Sequence, residues 1–132
     1  MVALDTNVLI RYLTDDDKPL AARAQALIRD NRCFVSRVVL LETYQVLESY
    51  YQLDRAAMIR ALHTIFGLEA ISVEDHIATA RAVEWYEQGM DFADALALAA
   101  AHQQESLATF DRDVARIAAK LATKPPVSDS RR

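Results

Sequence analysis

Four acids stand where a strand–helix chain can turn them to chemistry. Asp5 follows the apolar run Val2-Ala3-Leu4 and precedes Thr6-Asn7-Val8-Leu9-Ile10. Glu42 lies between Val38 and Val46 at four-residue spacing, so the three share one face of a helix. Asp94 follows Asp91 by three positions, and Asp111 closes the run Leu107-Ala108-Thr109-Phe110. Gathered in one pocket, such carboxylates repel: a pair about 4 Å apart costs roughly 4 kcal/mol even at an effective dielectric of about 20. Raised pKa values or a divalent cation would relieve that cost. An all-oxygen donor set favours hard ions such as Mg²⁺ or Mn²⁺, which activate water and hold the leaving oxygen of a phosphodiester.

Each acid also has a plainer reading. Asp5 or Thr6 can simply cap a helix. Glu42 sits on a stripe expected to be buried, where an unpaired charge is costly, or at the stripe's edge with its head in solvent. Asp91 is the natural cap of its helix, with Asp94 in the first turn, where the helix dipole favours negative charge. Other chemistries find little support. There is no HExxH, no glycine-rich phosphate loop and no GxSxG. His63, His76 and His102 form no ligand-like array, and Cys33 has no evident base partner.

The elements that must position these acids alternate. Val2 to Leu4 reads as a short buried strand, and Val8 to Leu13 as the first turns of a helix. Pro19 suits the first turn of a second helix, and Cys33 to Ser36 a buried strand. The spacing predicts a long helix from Arg37 to Tyr51 and another from Asp54 to Gly67. A strand follows at Glu69–Ser72, then a helix through Glu87, and one from Asp91 to about His102. The last strand–helix unit runs from Leu107 through Leu121, ended by Pro125-Pro126. Val127 is placed as a brief edge strand or none, because the chain end is proline-rich and poor in apolar residues. This repeated pattern predicts an α/β fold, a short central parallel sheet with helices on both faces. With right-handed crossovers, all four acids can converge on one sheet edge, where such folds bind ligands.

Composition fits that frame. The 132 residues suit a single domain, taken as residues 1–127 with a disordered tail at 128–132. With only two glycines, the chain is a poor match for a turn-rich all-β fold. The single cysteine, Cys33, excludes an internal disulfide and reads as a small core residue. No signal peptide is visible and no apolar run approaches the roughly 20 residues of a membrane span, so a cytoplasmic protein is expected. The net charge of −4 does not suit a passive nucleic-acid binder. A chain of this charge acting on nucleic acid needs bound cations or a basic surface formed on association. Trp85 and Tyr86 could stack on bases, but without a flanking basic stripe they read as core or dimer contacts.

Taken together, Leu4-Asp5-Thr6-Asn7-Val8-Leu9-Ile10, Glu42, Asp91-Phe92-Ala93-Asp94-Ala95-Leu96 and Thr109-Phe110-Asp111-Arg112-Asp113 give the chain a family likeness. It resembles the PIN-domain ribonucleases, specifically the VapC-type toxins of bacterial toxin–antitoxin pairs, over nearly its whole length. The resemblance implies helices around a parallel sheet, usually in a homodimer. It also implies Mg²⁺- or Mn²⁺-dependent cleavage of RNA and a small antitoxin as inhibitor. By position Asp5, Glu42 and Asp94 match the first three acids of that family, and Asp111, ahead of Asp113, matches the fourth. Ala97 departs from the histidine many relatives carry, a change not expected to abolish metal binding.

The expectation is therefore a metal-dependent endoribonuclease with catalytic Asp5, Glu42, Asp94 and Asp111. Asp5 and Asp94 would hold the metal, and Arg11, Arg37 and Arg112 would contact phosphates. Two rivals stand beside it. A degenerate PIN scaffold would bind partners without cutting. A phosphoacceptor domain would want adjacent acids after the first strand and a lysine after a late one, whereas Asp5 stands alone and Arg112 follows Asp111.

Overall fold

The computed structural model describes residues 1–131. Two compact units divide the chain, Met1–His76 and the segment from Ile77 on. The first carries strand β1 (Val2–Ala3), helices α1 (Thr6–Leu13) and α2 (Lys18–Asp30), strand β2 (Cys33–Val35), helices α3 (Arg37–Ser49) and α4 (Arg55–Gly67), and strand β3 (Ile71–Val73). Its three strands pair in parallel in the order β1-β2-β3. The second carries α5 (His76–Glu87), which begins at the boundary, α6 (Phe92–Ala100), β4 (Leu107–Thr109), α7 (Arg112–Leu121) and β5 (Val127–Asp129). Here β4 and β5 pair in parallel. The fold is α/β with parallel pairing in both sheets, as the alternating pattern predicts.

The helices start where short polar side chains can satisfy the first backbone N–H groups. Asp17 accepts from Leu20 N–H at 3.0 Å, Ser36 from Val39 N–H at 3.1 Å, and Asp54 from Ala57 N–H at 2.8 Å. Pro19 lies in the first turn of α2, where its missing N–H costs nothing. These starts fix the register of each apolar face. In the first unit Leu9, Ile28, Cys33, Val35, Leu40, Leu47, Met58 and Ile65 are buried; in the second, Tyr86, Phe92, Ala95 and Leu98 are. Trp85 and Tyr86 are buried too, with Tyr86 edge-to-face on Phe92 at 5.6 Å, so they are core residues.

Three expectations need correction. Strand β1 is not buried: Val2 and Ala3 are exposed and only Leu4 is enclosed, because β1 is an edge strand of its sheet. The Val38–Glu42–Val46 stripe is not the buried face of α3. Val38 is 67% exposed and Glu42 exposed, while Leu40, Thr43, Tyr44 and Leu47 carry the burial. At the chain end, Ser128 and Asp129 belong to β5 rather than to a free tail. Their backbone pairs with Ala108 and Thr109, giving the exposed polar segment a partner for its N–H and C=O groups. Arg132, the last residue of the expected tail, lies outside the described residues.

Candidate active site

The predicted acids fall into two clefts, one in each unit. In the first unit Asp5 stands between β1 and α1 and is the cap of α1, its Oδ1 accepting from Thr6 N–H at 2.8 Å. The Thr6 hydroxyl in turn donates to Glu42 Oε2 at 3.2 Å. Asp5, Thr6, Arg11, Asp16, Glu42, Val46, Tyr50 and Tyr51 line one open cleft. On its far wall Asp16 collects three donors. They are the Tyr51 hydroxyl at 2.8 Å, the Thr14 hydroxyl at 3.1 Å and the Arg11 guanidinium at 3.3 Å. The Tyr51 hydrogen bond, aided by Thr14 and Arg11, holds the Asp16 carboxyl below the usual carboxylate range.

Two residues expected near phosphates behave differently. Arg11 reaches this cleft, paired with Asp16. Arg37 instead bridges Glu74 and Asp75, at 3.3 Å to each, and its backbone N–H donates to Glu74 Oε1 at 3.0 Å. It joins the start of α3 to the end of β3, so its guanidinium is committed to the fold.

In the second unit Asp91 caps α6, its Oδ2 accepting from Asp94 N–H at 3.1 Å. Asp111 caps α7, its Oδ1 accepting from Asp113 N–H at 2.9 Å and Val114 N–H at 3.4 Å. Asp91, Asp94, Asp111 and Asp113 line a second cleft with Arg116 and Lys120. Burial, and then the negative charges of Asp91 and Asp111, push the Asp94 carboxyl above the usual range. Asp113 is drawn off by Arg116, 2.8 Å away. Asp91, which the sequence marked only as a cap, is thus part of the charge cluster around Asp94. Its three-residue spacing to Asp94 is the signal that places both in one helix turn.

The structure therefore brings Asp5 to Glu42 through Thr6, and Asp94 to Asp91 and Asp111. Among the described residues, no three His, Cys, Asp or Glu side chains cluster at metal-holding distances. The carboxylates of both clefts, with the Thr6 hydroxyl in the first, nevertheless supply oxygen donors of the kind that hard cations prefer. Caps at Asp5 and Asp111 each engage Oδ1 on backbone N–H groups, leaving Oδ2 for another partner.

A family model described as PIN domain matches residues 2–120. Among solved structures, the chain is similar to that of Mycobacterium tuberculosis VapC20, a Sarcin-Ricin loop cleaving toxin. The two are 18% identical at a TM-score of 0.45, over 88% of this chain and 94% of that one. No curated protein matches the sequence.

Proposed function

Because the chain belongs to the PIN domain family, we propose that it is a metal-dependent endoribonuclease, the toxin of a type II toxin–antitoxin pair. The observation that carries this reading is the state of Asp94. A carboxylate in a first helical turn, partly buried beside Asp91 and Asp111 and held above its usual range, is a group that a cation would relieve. Asp5 and Asp94 are assigned to Mg²⁺ or Mn²⁺, since one leaves a strand end and the other starts a helix. When bound, such an ion supplies Lewis acidity for attack of water on a phosphodiester.

The chain's own residues do the remaining work. Asp5 is fixed by its bond to Thr6 N–H, and Glu42 by the Thr6 hydroxyl. Glu42 accepts a proton from the attacking water, or orients it. Asp111, held on the start of α7, sustains the negative field around Asp94. RNA approaching a chain of net charge −4 is met by cationic side chains such as Arg11 and Arg112. A small antitoxin, a homodimer that aligns two such surfaces into a groove, and a cytoplasmic site of action complete the reading. No helix among the described residues is long and apolar enough to cross a membrane.

The test is RNA cleavage by the purified protein with Mn²⁺, with EDTA and Asp5→Asn as controls. Cleavage abolished by both is the expected result. Cleavage surviving both would overturn the carboxylate–metal reading.

A further inference from the structure

The first cleft carries an aromatic ring that is largely open to solvent. Tyr50, the residue after α3, is 73% exposed, yet it lines the same cleft as Asp5 and Glu42. Glu42, Val46 and Tyr50 follow one another at four-residue spacing, which puts Tyr50 about 12 Å along the helix axis from the acid. The ring is also held. Tyr51 packs edge-to-face against it, with centroids 4.9 Å apart and planes at 76°. Tyr51 is itself fixed by its 2.8 Å hydrogen bond to Asp16, and Asp16 by Arg11. A pre-set ring lining the same cleft as the carboxylates suits a stacking platform, because ordering it in advance lowers the cost of binding.

We propose that Tyr50 is a stacking platform for an unpaired nucleobase of an RNA strand lying in the Asp5–Glu42 cleft, with Tyr51 and Asp16 as its positioning residues. The proposal rests on the ribonuclease reading for the identity of the strand. It adds a selection rule: the substrate must present a base free to leave its helix, because a paired base keeps both faces stacked. Arg11, at the cleft wall, is placed for the phosphate of the same strand.

The experiment is binding of a fluorescent single-stranded RNA decamer by anisotropy with Mn²⁺, every protein carrying Glu42→Gln so that no strand is cut. An abasic ribose-phosphate decamer serves as the matched probe. Tyr50→Ala, a surface change, should weaken RNA binding by roughly 5- to 150-fold, the range set by one base–aromatic stack. It should leave the abasic probe unaffected, and Tyr50→Trp should restore affinity. Equal RNA binding with and without Tyr50→Ala would overturn the platform, as would equal losses on both probes or no RNA binding at all. Parallel cleavage assays with Mn²⁺ separate the two readings. Cleavage insensitive to Tyr50→Ala at limiting substrate removes the platform and keeps the nuclease. Tyr50-dependent binding without any cleavage keeps the platform and removes the nuclease.

Discussion

The Thr6 hydroxyl donates to Glu42 Oε2 at 3.2 Å, tying the first turn of α1 to the middle of α3. The bond is exposed, so its net contribution to stability is about 1 kcal/mol at most. Its effect falls on where the Glu42 carboxylate stands. Thr6→Val should lower kcat/KM for RNA by about fivefold, equivalent to roughly 1 kcal/mol, with little change in Tm. Thr6→Ser should retain activity. Steady-state cleavage rates beside thermal melts check both.

The raised Asp94 carboxyl makes a pH prediction with a definite sign. Burial first, then Asp91 and Asp111, hold its folded pKa above the unfolded value. The native state therefore binds more protons between those two values, and stability falls as pH rises through that window. Above it the full cost is present. Asp94→Asn should be more stable than the unmodified protein at neutral pH, with the advantage shrinking towards acid. Urea melts from about pH 3 to about pH 7 measure it, and a less stable Asn variant at neutral pH would contradict the assignment.

A cation that neutralises these acids should stabilise the fold by mass action. Mn²⁺ at about 100 times its Kd should add roughly 2.7 kcal/mol, read as a rise in Tm that EDTA reverses. Asp5→Asn and Asp94→Asn should each reduce that rise. No shift at saturating Mn²⁺ would count against metal binding by these residues.

Asp111 lets folding and chemistry be separated. Its Oδ1 accepts two backbone N–H groups at the start of α7. Asp111→Ala should cost about 1 kcal/mol of stability, and Asp111→Asn only a few tenths, because Asn caps nearly as well. Both should lose cleavage. Equal melting of the two variants would mean that the cap contributes nothing.

Arg112, Arg116 and Lys120 are exposed and four residues apart, so they form one basic face on α7. Arg116 and Lys120 reach the Asp94–Asp111 cleft. Replacing Arg112 or Lys120 with Gln should weaken single-stranded RNA binding to a similar degree on every sequence. Each change should reduce the salt slope by about 0.7. A salt titration of anisotropy reads this directly.

Much of the fold is legible because Asp and Pro announce helix starts: Asp54 and Asp91 cap the helices they precede, and Pro19 opens its helix in the first turn. The alternation of strand and helix gives the parallel pairing for the same reason. Burial is less legible. Four-residue spacing shows that Val38, Glu42 and Val46 share a face but not which way the face points, and that depends on packing around Leu40 and Leu47. The Tyr51–Asp16 bond spans 35 positions, and no local pattern encodes it. Arg37 looked like a phosphate ligand because the sequence hides its partners, Glu74 and Asp75, nearly forty positions away. The pairing of β5 escaped for a related reason, since backbone hydrogen bonds recruit Ser128 and Asp129 without needing apolar side chains.

The acids that hold helix starts also shape how this protein can fail genetically. Among the residues one nucleotide change away from an aspartate codon is asparagine, which keeps a helix cap while removing the charge. On the proposed nuclease reading, such a change at Asp5 or Asp111 should yield a folded, inert chain rather than a lost one. A selection for survivors of its activity should therefore recover soluble, full-length proteins at these two codons, still able to occupy whatever binds the native surface.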